Sequence, residues 1–397
     1  MFTRFYEQYA TYCETAITNR RFSERTWENL ITTWDTSATL TVSEIGQTTE
    51  SRPIREVRFG QGPIHIIAWS QMHGDEATAT MALADIFRFL SLDLPEFSSI
   101  KEILQQKISL FVIPRLNADG AAYWTRETAV GIDMNRDAQT MHSQEARILS
   151  DWADSKNPLF AFNLHDQNRL YSVGKSAKQT HLAFLATTGD EAGTWTVSRT
   201  RAAKLANRLT RLSQAILPGL IAKWSDEFNP RAFGDQFQSR GYGLVLLESG
   251  GAGWDLEKQS LRRINAALLL DALVCIANED YQAELTSIYE MLETNERQLF
   301  DIKITDAPLD EKGTCRADIG LNLVEIAEEA DTISYAWQVE EIGDLAHMHG
   351  LNTLSGKSWQ SIFGQKIKLA SIIQHLQFTE KGSIAFDLST FTAKINQ

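Results

Sequence analysis

The stretch AWSQMHGDEATATMALADIF, residues 68–87, joins an apolar run to a segment rich in Ala, Leu and Met through a histidine and a glutamate three positions apart. The overlapping run PIHIIAWS (63–70) has the composition of a buried strand, and ATATMALADIFRFL (77–90) that of a buried helix. A continuous apolar strand feeding a helix that covers it belongs to a parallel α/β sheet. His73 and Glu76 fall at the turn between the two. Taken alone they read as polar turn residues or as two metal ligands, and the choice rests on the rest of the chain.

Working outward, the alternation repeats. KISLFVIP (107–114), LFAFNL (159–164) and YGLVLLE (242–248) read as strands; QEARILSDWAD (144–154), SRTRAAKLANRLTRLSQAILPGL (198–220) and KQSLRRINAALLLDALVCIA (258–277) read as helices. Upstream, residues 2–34 carry helical spacing, followed by the strands TLTVSEIGQT (39–48) and REVRFGQG (55–62). The expected fold class is α/β, a mixed, mostly parallel sheet sandwiched by helices. After residue 280 the pattern changes. One more helical piece, residues 281–297, gives way to short alternating runs, FDIKI, ADIGLNLVEI, ISYAWQVE and SIAFDLSTFTAKI, with EKGTC as a turn. The expected division is a catalytic domain over 1–295 and a small β-rich domain over 296–397.

Four of the expected strands run into polar residues. They lead to His73 and Glu76, to Arg115, Asn117 and Asp119, to His165 and Asp166, and to Glu248 and Ser249. Open α/β sheets bind ligands beyond the carboxyl ends of their strands, so groups far apart in sequence are expected to converge there. Two histidines and a carboxylate make a catalytic zinc set, which His73, Glu76 and His165 would supply.

Composition narrows the function classes. The 397 residues carry a formal net charge of −13, which disfavours phosphate backbones and anionic lipid, so neither nucleic acid nor a membrane is an expected partner. Cys13, Cys275 and Cys315 are odd in number and widely separated, which suggests neither a disulfide framework nor a thiolate cluster. No apolar leader or membrane-spanning run is visible, and a cytoplasmic location is the expectation. Among other histidines, His65 sits in an apolar strand as a core residue would, and the His347–His349 pair lacks a carboxylate pattern beside it.

The ordered set HGDE (73–76), NADG (117–120), GIDMNRD (131–137), NLHD (163–166) and LLESGG (246–251) resembles the zinc carboxypeptidase family, with the funnelin fold, over residues 60 to about 275. The resemblance implies one zinc ion held by His73, Glu76 and His165, with Glu248 as general base. It implies Arg126 as the arginine that stabilises the oxyanion, with Arg115 and Arg169 as competitors. Asn135 and Arg136 match the pair that grips a substrate's terminal carboxylate, and Asp133 the aspartate that orients the first ligand histidine. Two positions depart from the pattern. Ala118 replaces the usual proline, and Asp75 stands between the first two ligands where digestive members carry an arginine, which leaves the requirement for a free C-terminal carboxylate open. Tyr242 reads as a packed aromatic rather than as the family's mobile tyrosine.

The resemblance implies a zinc-dependent hydrolase that cuts an amide bond near a carboxylate terminus. The expected partner is a peptide or acyl-amino-acid substrate, and self-association is left open. The alternatives are an N-acyl amino acid deacylase of the aspartoacylase and succinylglutamate desuccinylase type, and an inactive binding protein of the same fold.

Overall fold

The computed structural model describes residues 1–329, 331–364, 367–373, 376–381 and 383–395. The chain divides into two compact units, Met1–Asn168 with His181–Asn295, and Arg169–Thr180 with Glu296–Gln397. The first nine strands are β1 (Leu40–Gln47), β2 (Pro53–Phe59), β3 (Ile64–Trp69), β4 (Ile108–Ile113), β5 (Phe160–Asp166), β6 (Tyr171–Val173), β7 (Leu182–Ala186), β8 (Ile221–Lys223) and β9 (Gly243–Ser249). All but β6 form one eight-stranded sheet in the first unit, in the order β1-β2-β4-β3-β5-β9-β7-β8.

At its centre β4, β3, β5 and β9 lie side by side and parallel. Antiparallel pairings join β1 to β2, β2 to β4 and β7 to β9, so the sheet is mixed, with helices on both faces. Strand β3 shows why both faces need covering. Ile66 and Ala68 enter one apolar core, with helices Thr78–Ser91, Val197–Ile216 and Gln259–Ala277. Ile67 and Trp69 enter a second, with helix Gln144–Lys156 and the short helix Phe233–Ser239. Burying a large apolar side chain this way contributes about 1.5–3 kcal/mol.

Three departures from the sequence expectations have physical causes. Residues 2–34 form a helix Phe2–Glu7, a 3-10 turn Tyr9–Thr11 and a helix Glu24–Asp35 rather than one periodic segment. Phe5 and Tyr12 pack against Phe89, and Ser23 Oγ caps the later helix by accepting from Thr26 N–H, so aromatic docking and a cap interrupt the helical spacing. Strands β7 and β8 are absent from the sequence expectations because, at five and three residues, LAFLA and IAK are the shortest strands of the sheet. Residues 281–297 form only short turns, Asp280–Ala283 and Ser287–Glu290, before a strand at Asn295–Arg297.

The second unit holds a five-stranded sheet and a three-stranded one. In the larger sheet, Leu299–Pro308 pairs antiparallel with Arg316–Ala327, which pairs antiparallel with Ile333–Gly343. His349–Ser355, not foreseen as a strand, runs parallel to Leu299–Pro308. The run SIAFDLSTFTAKI is not a single strand: it changes from strand to helix after Asp387, whose carboxylate accepts from Ser389 N–H at 2.8 Å and so starts the helix Leu388–Ile395. All three cysteines are free. Among the described residues no helix is long and apolar enough to cross a membrane.

Candidate metal centre and catalytic site

Three of the four polar strand ends, those after β3, β5 and β9, converge because these strands are neighbours, whereas after β4 Arg115 pairs with Glu24 and Asp119 with Arg52. His73 and Glu76 follow β3, His165 is the penultimate residue of β5, and Glu248 lies opposite His165 in the parallel register of β5 with β9. One ligand atom each from His73, Glu76 and His165 lies within 4.8 Å of the others, and all three residues are buried. Each Glu76 oxygen faces a histidine Nδ1 at 2.7 Å, Oε1 towards His73 and Oε2 towards His165. Asp133 Oδ1 takes the other side of His73, 3.1 Å from Nε2, which fixes the ring's orientation.

Small residues set the approach of the loops beneath these groups. A Cβ on Gly74, between His73 and Glu76, would meet the backbone carbon of Gly120 at 1.9 Å, so the HGDE and NADG loops approach this closely only with glycine at 74. Asn117 Oδ1 accepts from Gly120 N–H at 2.9 Å, and its Nδ2 donates to Glu127 C=O at 3.0 Å. Asn117 therefore ties the NADG turn to the loop that carries Arg126. Arg126 Nη1 lies 3.0 Å from Glu76 Oε1 and 3.1 Å from His73 Nδ1, and Nη2 donates to Asp133 Oδ2 at 3.1 Å.

The electrostatics follow from burial among close charges. Burial alone would lower the His73 pKa, but the Glu76 charge and hydrogen bonds to Asp133 and Glu76 outweigh it and lift the ring to about 9. His165 is pulled below its ordinary value, first by burial, with Glu76 opposing. Glu76 is held well below the carboxylate range although burial opposes this, because both histidines face it. Burial first, then the Glu76 charge, raises Glu248 well above that range. Asp75 is pushed up to about 6, again by burial first and Glu76 second.

The donor set fits a zinc ion. Without a cation, each Nδ1 must carry a proton to face the carboxylate, and His73 must then be doubly protonated because Nε2 also faces Asp133. A divalent cation among the two Nδ1 atoms and Glu76 would remove that need, leaving Nε2–H of His73 to donate to Asp133. Two nitrogens and a carboxylate oxygen, all buried, match the catalytic zinc donor set.

The other sequence-named residues fall into two groups. Asn135 and Arg136 follow Asp133 on the turn Met134–Arg136; Asn135 Oδ1 accepts from Phe233 N–H at 3.0 Å, while Arg136 is exposed and donates to Asn135 C=O at 2.7 Å. Neither touches the ligand atoms directly. Arg115 and Arg169 are placed elsewhere: Arg115 is buried against Glu24, and Arg169 pairs with Asp301 of the second unit. Tyr242 packs in the second apolar core, and its hydroxyl donates to Asp154 at 2.5 Å. His65 faces Lys156 C=O at 2.7 Å, as a core histidine would.

Two supports escaped the sequence reading. Thr78 Oγ1 donates to Asp166 Oδ2 at 2.7 Å, and buried Lys258 donates to the same oxygen at 3.1 Å and to Ser249 C=O at 3.2 Å. They lock the residues after His165 and Glu248 to each other. Neither belongs to a motif; the one local signal is the left-handed backbone of Lys258, φ 50°, which only the structure reveals.

No curated protein matches the sequence significantly. Residues 32–208 match the family described as zinc carboxypeptidase. Among solved structures, a metallo-carboxypeptidase from Burkholderia cenocepacia is similar at 14% identity over 66% of this chain and 70% of that one, with a TM-score of 0.53. A metallo-carboxypeptidase from Pseudomonas aeruginosa, in complex with (2-guanidinoethylmercapto)succinic acid, is similar at 16% identity over 64% of this chain and 69% of that one, with a TM-score of 0.50. These two likenesses concern the fold. The matched region carries His73, Glu76 and His165, so over residues 32–208 the chain is similar to the zinc carboxypeptidase family.

Proposed function

We propose that this protein is a zinc-dependent hydrolase of the metallocarboxypeptidase type, cleaving an amide bond near a carboxylate terminus. The observation that supports this reading most is the convergence of His73, Glu76 and His165 at the ends of parallel strands, with Glu248 beside His165 in register. His73 Nδ1, Glu76 and His165 Nδ1 would hold the ion, and Asp133 would keep the His73 ring turned towards it. When bound, zinc lowers the pKa of a water towards about 7 and polarises a carbonyl.

The remaining steps belong to this chain's own side chains. Glu248 accepts a proton from the attacking water and delivers it to the leaving nitrogen. Its burial, which raises its pKa, makes it a better proton acceptor than an exposed carboxylate. Arg126, with its guanidinium against the ligand atoms, binds the carbonyl oxygen as negative charge develops on it. Arg136, exposed beside Asn135, takes the substrate carboxylate with its planar fork of donors.

The test is elemental analysis followed by turnover. One zinc per chain is expected, with hydrolysis of substrates bearing a free C-terminal carboxylate. Turnover of N-acyl amino acids in preference to peptides would move the protein to the deacylase reading. Failure to take up metal after reconstitution would remove both.

A further inference from the structure

At the start of helix Gln259–Ala277 stands Lys258, whose backbone lies in the left-handed region, with φ 50° and ψ 30°. The Cβ of a lysine is strained there, and a glycine would not be. Its side chain is also buried, at 6% exposed, although an ammonium is among the most expensive groups to take out of water. Strain and burial together at one residue call for a compensating role, since turn geometry alone is better served by glycine. The ammonium ends between the strands that carry His165 and Glu248. It donates to Asp166 Oδ2 at 3.1 Å and to Ser249 C=O at 3.2 Å, so the residue after the third ligand and the residue after Glu248 share one cation.

We propose that Lys258 is a positioning residue for the reaction: its ammonium ties the end of β9 to the end of β5 and so fixes Glu248 against the ligands His165 and Glu76. This rests on the function proposed above. The ladder between the two strands ends at the pair Asp166 and Ser249, where the loop 250–258 departs. Lys258 closes that loop back onto its own beginning, and the strand ends are held where they would otherwise fray. Gln167 N–H donates to the same Ser249 carbonyl at 3.0 Å, so the ammonium adds a charge-assisted bond to a neutral one across the same gap. The bridge extends to the first two ligands as well. Asp166 N–H donates to Glu76 Oε2 at 3.1 Å, and Asp166 Oδ2 accepts from Thr78 Oγ1 at 2.7 Å, on the helix that follows HGDE. A proton acceptor displaced by about 1 Å from its reacting partner loses about 10²-fold in rate, which is the scale of effect that such a bridge controls.

The test compares Lys258→Met, which keeps the apolar stem, with the double variant Lys258→Met, Asp166→Asn, which leaves no buried carboxylate without its cation. In the full chain at saturating zinc, on peptides that the wild type cleaves, kcat should fall about 10²-fold in both while KM stays near wild type. The melting temperature should drop in the single variant and recover in the double one. Turnover that recovers together with stability would reduce Lys258 to a counter-ion for Asp166 and overturn the proposal. A second readout needs no substrate: amide hydrogen exchange in metal-loaded Lys258→Met should quicken at residues 165–167 and 249–250 and stay at the wild-type rate in the rest of the sheet. Unchanged exchange at those residues sinks the idea. A wild type that holds zinc but cleaves neither peptides nor N-acyl amino acids would remove the proposed function, and the exchange result would still decide the bridge. Should Lys258→Met fail to fold, the double variant carries both measurements.

Discussion

Two buried charge clusters in the first unit are built on opposite terms. Around Arg262, 1% exposed, every guanidinium donor is used: Nε and Nη2 on the two oxygens of Asp85, Nη1 on Ile17 C=O and Gln259 Oε1, and Nη2 again on Glu14 C=O. Asp85 also accepts from the Tyr9 hydroxyl and Glu14 N–H. The cluster at the strand ends is as deeply buried but incomplete, since His165 Nε2, Glu248 Oε2, Asp75 Oδ1 and Asp166 Oδ1 are buried without a partner. A closed network has nothing left to offer a ligand, and it serves to dock the N-terminal segment onto the core. An open one costs stability, and such a cost is expected where groups are kept ready for chemistry.

The sharpest way to break that contrast is to change one atom in the open cluster. Glu248→Gln keeps the shape and removes the proton acceptor we propose, so turnover should fall by about 10²–10⁴-fold while zinc content and melting temperature stay near wild type. Comparable turnover in the variant would remove Glu248 from the chemistry. The closed cluster should respond in the opposite way. Arg262→Ala strands the buried Asp85 charge and should cost about 3–5 kcal/mol in urea unfolding, with zinc affinity unchanged in whatever protein remains folded. An apolar pair, Arg262→Met with Asp85→Leu, should recover much of that loss. If it does not, the cluster contributes more than satisfied charge.

The two clusters also differ in how far the sequence announces them. The open one was legible because strands ending in HGDE, NLHD and LLESGG must place those residues together once β3, β5 and β9 are neighbours in a parallel sheet. The closed one was not. Asp85 and Arg262 are 177 positions apart on helices whose apolar neighbours gave no sign of a pair, and the N-terminal carbonyls it binds come from an irregular stretch. The same limit hid Thr78 and Lys258, whose roles depend on side chains meeting Asp166 across loops rather than on any spacing. Strands β7 and β8 were lost for a local reason, their length of five and three residues, and the helix at Leu388 because an aspartate cap looks like an ordinary strand residue until its partner Ser389 is seen.

Between the extremes lies a positioning residue. Asp133→Ala removes the acceptor that turns His73 and should lower zinc affinity about 10–100-fold, less than loss of a ligand would, and measurable by competition with a chelator. An unchanged affinity would mean that Glu76 and the ring's packing suffice to hold His73.

The smallest expected effect comes from a carboxylate that belongs fully to neither cluster. Asp235, 7% exposed, accepts a long hydrogen bond of 3.3 Å from Thr188 Oγ1, and burial, the largest influence, outweighs this and the Asn229 backbone bond and pushes its pKa from 3.8 up to about 6. Because the folded value is the higher one, the folded state binds the proton more tightly. The group therefore favours folding at low pH, and that contribution is lost as pH rises from about 4 to about 6. Asp235→Asn mimics the protonated form at every pH, so the variant's stability relative to wild type should rise across this window and then level off, by about 1 kcal/mol given partial solvation. Parallel stability curves for the two proteins from pH 4 to 7 would show that the fold leaves the Asp235 carboxyl at its ordinary pKa and that its burial is fully offset by its partners.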